Sequence, residues 1–244
     1  MEFKINLQEV REEARDTKTF VFNKPSGFDY IAGQYVYLTL PHLDAPDARG
    51  DTRQFTLSSS PTEENLMVTV RMRSHSAYKH TLSKLPAHAE ISMRGPNGTF
   101  VLDSDNEKNV QVMLAGGIGI TPYRSIIKYL VDKNLGVPIV LVCSNSKPED
   151  ISFKAELDKI YKDHEWLKVI YTVSRPEEST IKWTGLTGRI DEQFLRNNLT
   201  SHLTLPTSIF WVCGPPAMVT GVEETLKNVG IADGRVKTEK LTGY

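Results

Sequence analysis

Cysteine is scarce in this chain: Cys143 and Cys213 are the only two among 244 residues. Two thiols are too few for a disulfide framework or a four-thiolate iron–sulfur cluster. The scarcity makes a reduced, cytoplasmic compartment the expected setting. Excess charge is missing as well, since 29 basic and 30 acidic residues leave a formal net charge of -1. Such a balance gives no general pull toward nucleic acid or a membrane surface. No apolar run approaches the roughly 20 residues of a membrane-spanning helix. The charged, alternating start MEFKINLQEVREEARD is not a signal peptide. The six histidines show no metal-ligand spacing, so no metal is expected, and His75 and His80 read as surface or capping residues. Repeats and low-complexity segments are absent. What remains is a soluble globular composition, 39% hydrophobic and 24% charged, long enough for one large domain or two ordinary ones.

Two kinds of pattern divide the chain. From Phe3 to about Asp103, short runs rich in β-branched and aromatic residues (FKINLQEV, TKTFVFN, QYVYLTL, TRQFTLSS, LMVTVRMR, EISMRGP) alternate with turn clusters. One helical candidate, YKHTLSKL, interrupts them. The spacing predicts a closed or nearly closed antiparallel β-barrel over residues 1–106. Beyond DSDNEKN, strand-like VQVMLAG, PIVLVCS, LKVIYTVS and SIFWVCG alternate with helix-like PYRSIIKYLVDK, ISFKAELDKIYK, DEQFLRNNL and PPAMVTGVEETLKNV. That alternation predicts an α/β domain with a parallel sheet over residues 107–244. Ligands on such sheets bind beyond the carboxyl ends of the strands.

The polar clusters at those strand ends are the candidate site. AGGIGITP follows the first strand. Its glycines permit a tight turn or close ligand approach, and Pro122 suits a helix start with anion-binding N–H groups. An ordinary βα loop would read the same way. Ser174 and Arg175 offer a hydroxyl and a planar guanidinium suited to a phosphate monoester, or simply a solvated arginine. In VCGPPAMV, Cys213 reads most simply as a small buried hydrophobe. In the first half, RQFTLSSSP places Arg53, Phe55 and Leu57 on one side of a strand, with Gln54, Thr56 and Ser58 on the other. This set can hold a planar phosphorylated cofactor, or it is a half-buried barrel strand.

Together RQFTLSSS, GPNGTF, GGIGITP and CGPPAM resemble, in order and spacing, the motifs of the ferredoxin–NADP⁺ reductase superfamily of flavoenzymes, across nearly the whole chain. The resemblance implies a flavin-binding barrel, for FAD rather than FMN, followed by a nicotinamide-nucleotide domain. It implies that Arg53 pairs with the flavin pyrophosphate, Phe55 lies against the isoalloxazine and Thr56 bonds its N5 edge. Gln54, Ser58 and Ser59 complete that motif. Arg71 would follow the ribityl chain, with Ser76 and Lys79 at the phosphates. Gly116, Gly117, Gly119, Thr121 and Pro122 would cradle the nicotinamide dinucleotide, joined by Gly214, Pro215 and Met218. Cys213 would stand near the hydride-bearing carbon. Ser174 and Arg175 would clamp a 2′-phosphate, favouring NADPH over NADH. Glu239 lies in KTEKLTGY, which resembles an E-x-F-x-G-Y ending with Leu241 in place of phenylalanine; it would approach the active centre. The implied catalytic residues are thus Thr56, Cys213 and Glu239.

The expected activity is hydride transfer from NADPH or NADH to FAD, then electron transfer to a separate ferredoxin, flavodoxin or oxygenase component. No fused iron–sulfur domain is expected. An electron-transfer subunit of a larger complex, a flavin- and nucleotide-binding redox sensor, and a reductase of free flavin or ferric chelates are the alternatives.

Overall fold

The computed structural model describes residues 1–73, 76–102, 108–199 and 207–242. The expected domain junction at 106–107, His75 and Tyr244 lie outside them. The first half contains β1 (Glu2–Ala14), β2 (Thr17–Asn23), β3 (Tyr35–Thr39), β4 (Thr52–Thr56), β5 (Asn65–Arg71) and β6 (Glu90–Asn97), with α1 (Ala77–Ser83) between the last two. They pair antiparallel in the order β4-β3-β6-β1-β2-β5. The sheet curls until its edges β4 and β5 meet at one bridge, Leu57 to Val68. Alternation drives the curl. Leu7, Phe20, Phe22, Leu38, Leu57 and Val68 all turn inward and are buried, sealed at one end by Tyr78 of α1. Ahead of that bridge, β4 and β5 run apart, which leaves an opening in the barrel wall.

The second half contains β7 (Gln111–Gly116), α2 (Thr121–Asp132), β8 (Ile139–Asn145), α3 (Lys154–Asp163), β9 (Leu167–Val173), β10 (Leu186–Thr187), α4 (Glu192–Leu199), β11 (Ile209–Gly214), α5 (Pro216–Asn228) and β12 (Val236–Lys240). Its sheet is parallel throughout, in the order β10-β9-β8-β7-β11-β12. Strands β7, β8 and β11 are apolar along nearly their whole length because both faces are covered. Met113, Leu141 and Trp211 meet α2 and α3, whereas Val112, Val142 and Phe210 meet α4 and α5. Strand β12 adds a parallel edge strand beside β11.

The halves share a core. Phe100, from the GPNGTF turn, packs edge-on against Trp211 with ring centroids 5.0 Å apart and lies 5.7 Å from Tyr123. Gly33 admits the Phe100 carbonyl where any Cβ would collide with it. Among the described residues, no helix is long and apolar enough to cross a membrane.

Candidate active site

The opening in the barrel wall is a cleft of about 840 Å³ between the two halves. Arg53, Gln54, Phe55 and Thr56 of β4 form one wall; Thr69, Val70 and Arg71 of β5 form another. Lys79 of α1 and Arg49 close one end, while Ile118, Thr121, Lys240, Leu241 and Thr242 cover it from the second half. Both barrel strands here are sheet edges, so their backbone groups face the cleft without a neighbouring strand to use them.

Five cations line this cleft: Arg49, Arg53, Arg71, Lys79 and Lys240. Arg53 is held by its own loop: Nη1 donates to the carbonyls of Arg49, Gly50 and Thr52, each at 2.8 Å. Its Nη2 lies 2.6 Å from Asp47 Oδ1 as an ion pair, out of line for a hydrogen bond. The guanidinium rests on the Tyr78 ring, 5.1 Å from its centroid. Lys79 Nζ donates to the Arg71 carbonyl at 2.8 Å. Burial, with Arg49, Arg71 and Arg53 nearby, pushes the Lys79 ammonium down to about 8. The neighbours' share of that depression, second to burial, is repulsion that a bound anion would relieve. The buried Thr56 hydroxyl has no hydrogen-bond partner among the described residues, which is costly unless a ligand supplies one.

A second groove, of about 1250 Å³, lies beyond the carboxyl ends of the parallel strands. It opens where the strand order reverses around β7, the usual ligand position in such sheets. Gly116, Gly117, Ser144, Asn145, Ser146 and Ser174 line one side. Arg189, Asp191, Pro215 and Met218 line the rest. The glycines have distinct jobs. Gly116 and Gly214 face each other, and a Cβ on Gly214 would stand 3.0 Å from the Gly116 Cα. Gly117 adopts φ +53, and a Cβ there would sit 3.2 Å from Arg71 Nη1. A Cβ at Gly119 would run into the Cys213 backbone, so that glycine serves packing. Arg71 lines both cavities. It is fixed by an ion pair with Asp150, Nη2 to Oδ2 at 3.1 Å, whose other oxygen takes Arg73 Nη2 at 2.5 Å.

Cys213 and Glu239 stand in register on β11 and β12, and Lys240, next after Glu239, lines the barrel-wall cleft. Cys213 is fully enclosed in the core and lines neither groove. Burial, then the Glu239 carboxyl, raises its thiol well above the usual range, so it stays protonated. Burial alone pushes Glu239 up to about 7, and its Oε2 has no hydrogen-bond partner among the described residues. Thr121 donates its hydroxyl to the Ile118 carbonyl at 3.1 Å.

The remaining motif residues are engaged elsewhere. Ser58 and Ser59 are fully buried. The Ser58 hydroxyl pairs with Thr69 Oγ1 at 2.9 Å, and Ser59 Oγ accepts from the Met67 N–H at 3.0 Å. Ser76 caps α1 and donates to Asp47 Oδ2 at 3.2 Å. Pro122 lies in the first turn of α2. Arg175 is half-exposed, ion-paired with Glu178 at 3.2 Å, and does not line the groove.

Residues 4–102 match the family model described as Oxidoreductase FAD-binding domain, and residues 113–224 match Oxidoreductase NAD-binding domain. The solved ferredoxin NADP⁺ reductase from Neisseria gonorrhoeae, with bound FAD and NADP, superposes with a TM-score of 0.81 at 20% identity, covering 98% of each chain. The chain belongs to the ferredoxin–NADP⁺ reductase superfamily. This reductase is 30% identical over 231 residues to the glycine betaine monooxygenase reductase subunit of Chromohalobacter salexigens, across 93% of its own length and 60% of that protein. It is 26% identical over 239 residues to NADH-cytochrome b5 reductase 1 of Aspergillus oryzae, across 94% of its own length and 79% of that protein. As a member of this superfamily it is an FAD-dependent oxidoreductase that uses a nicotinamide nucleotide. The cation cluster and the unpartnered Thr56 hydroxyl fit the flavin; the switch-point groove fits the nucleotide.

Sequence reasoning missed Arg189, Asp150 and Arg124. Arg189 follows a two-residue strand with no hydrophobic pattern of its own. Asp150 lies in an acidic turn that reads as solvated. Arg124 sits among apolar residues of α2, and that misplaced charge was a usable signal.

Proposed function

We propose that the reductase holds FAD in the barrel-wall cleft, takes NADPH in the switch-point groove, and passes electrons to a one-electron carrier protein in trans. Bound FAD would accept two electrons from the nucleotide as a hydride and release them singly. Everything else falls to this chain's residues. Arg53, Lys79 and Arg49 hold the pyrophosphate, with Arg53 aimed in advance by its three carbonyl contacts. Phe55 offers a ring face, Gln54 an amide, and Thr56 a hydroxyl for the flavin's hydrogen-bonding edge. Gly116 and Gly117 let the nucleotide's phosphates approach the backbone beneath Arg71. Thr121 lines the flavin cleft; Glu239, in register with the enclosed Cys213, is poised near neutral pH to hold or yield a proton.

The observation that carries this reading is that Arg71 lines both cavities, which would bring flavin and nicotinamide to neighbouring sites. For the 2′-phosphate, the proposal moves the cation from Arg175 to Arg189, which lines the groove with Ser174, Ser144 and Ser146. A guanidinium beside several hydroxyls suits a phosphate monoester.

Titrating apo-protein with FAD, and then FAD-loaded protein with 2′,5′-ADP and ADP, tests the assignment. Tight flavin retention and a preference for 2′,5′-ADP that Arg189→Ala removes and Arg175→Ala spares are expected. Flavin that washes off, or a preference governed by Arg175 alone, would retire the corresponding part.

A second reading, a reductase component working inside a larger assembly, is favoured by the relative named a reductase subunit, of which this chain spans only 60%. Rapid turnover with ferricyanide but none with small carrier proteins would support it.

A further inference from the structure

Helix α2 leaves the nucleotide loop carrying a buried charge that none of the roles above uses. Arg124, three residues beyond Thr121, is only 7% exposed. Its Nη1 donates to the Ser58 carbonyl at 3.0 Å and to Glu63 Oε2. Its Nη2 reaches Glu63 Oε1 at 3.0 Å and Glu156 Oε1 at 2.8 Å, and its Nε donates to Glu156 Oε2 at 3.0 Å. The Phe153 ring covers the guanidinium at 5.7 Å. Adjacent Ser125 donates its hydroxyl to the Ser59 carbonyl at 2.5 Å, and Glu63 also accepts from the Ser60 N–H at 2.6 Å.

These partners are placed where they matter. Ser58 is the second residue after Thr56, which lines the flavin side of the cleft. Arg124 and Ser125 follow Thr121, which lines the facing side. The contact therefore ties together the two chain segments that carry opposite walls, within a few residues of each. Phe100 against Trp211 and Tyr123 holds the halves together, but an apolar contact is non-directional. A planar guanidinium forked between two carboxylates and a carbonyl fixes direction as well as distance. Hydride transfer needs the reacting atoms about 3–3.5 Å apart, and a misplacement of about 1 Å can cost roughly 100-fold in rate.

We propose that Arg124 is a positioning residue that, through the Ser58 carbonyl and Glu63, sets the gap between nicotinamide and flavin. This rests on the reading of the two cavities given above. The test uses the full chain, with and without FAD, as wild type, Arg124→Lys and Ser125→Ala. Arg124→Lys keeps the charge and loses the fork; Ser125→Ala removes one hydrogen bond and keeps the fold even if the lysine variant does not.

FAD stoichiometry and ADP affinity should stay within about twofold of wild type. Flavin reduction at saturating nucleotide should slow by about 10-fold or more in Arg124→Lys, and by a few-fold in Ser125→Ala. In the FAD-free protein, amide exchange should quicken at residues 57–63 and 121–126 and stay unchanged in β8 and β9. Unchanged reduction rates per bound flavin, despite faster exchange, would make the cluster merely structural and overturn the proposal. Loss of FAD and ADP binding in step with the rate would overturn it too. A wild type that binds neither FAD nor ADP removes the proposal together with the reading beneath it, and this shows before any variant is made.

Discussion

The barrel-wall cleft and the switch-point groove, both proposed to receive anions, are built from different materials. The barrel uses side chains: Arg53 arrives locked by Arg49, Gly50, Thr52 and Asp47, over Tyr78. The groove, besides Arg71 and Arg189, relies on backbone and small hydroxyls, with glycines that let strand ends and ligand come close. Charges fixed in advance spare a ligand the ordering entropy of long side chains and suit a guest that stays. A lining of amides and hydroxyls binds more weakly per contact and suits one that leaves each cycle. Residence time is thus written into the choice between guanidinium and glycine.

The hardest blow to this contrast falls on the backbone side. Gly119→Ala drives a Cβ into the Cys213 carbonyl, so a loss of more than about 4 kcal/mol is expected, read as failure to fold or a collapsed urea midpoint. Arg53→Ala should weaken FAD binding by about 2–3 kcal/mol, the scale of a charge-assisted hydrogen bond lost, in a flavin titration. Arg189→Ala should change ADP affinity little, which keeps the asymmetry intact.

Glu239 sharpens the comparison through pH. Burial raises its carboxyl to about 7, above the ordinary 4.5. Between those values the folded chain keeps a proton that the unfolded chain has released, so stability falls as pH rises through that window. The loss is on the order of 2–3 kcal/mol in FAD-free protein. Glu239→Gln should flatten that slope in denaturant titrations from pH 4 to 8.

On the barrel side Lys79 titrates near 8. Since a phosphate guest favours the ammonium, FAD affinity should decline as pH climbs past that value. Lys79→Met should bind weakly at every pH, with no such decline. Smallest is Cys213→Ala, which should cost about 1 kcal/mol by opening a small void in calorimetry and leave ADP affinity unchanged.

Much of the fold was legible because its signals are local. β-Branched and aromatic runs between turn clusters marked the barrel strands, and the alternation of strands with helices marked the covered parallel sheet. The strand carrying Arg53, Phe55 and Thr56, expected to hold a cofactor, lines the barrel-wall cleft. The same motif misleads at its end: Ser58 and Ser59 look like further ligands, yet their hydroxyls serve the barrel and their carbonyls serve Arg124 and Ser125. Nothing in a hydroxyl's identity says which partner will reach it first. Arg175 likewise has the right chemistry at a strand end, but Glu178, three residues on, claims it. Arg189 and Asp150 become visible only once distant segments meet, because their partners are set by topology.

Arg71, braced by Asp150, borders both cavities at once. One cation serving two negatively charged guests makes their affinities depend on each other. Whatever factor the flavin imposes on the dinucleotide's dissociation constant, the dinucleotide must impose on the flavin's. An electron carrier of this design therefore senses its fuel through the grip on its own pigment, before any electron has moved.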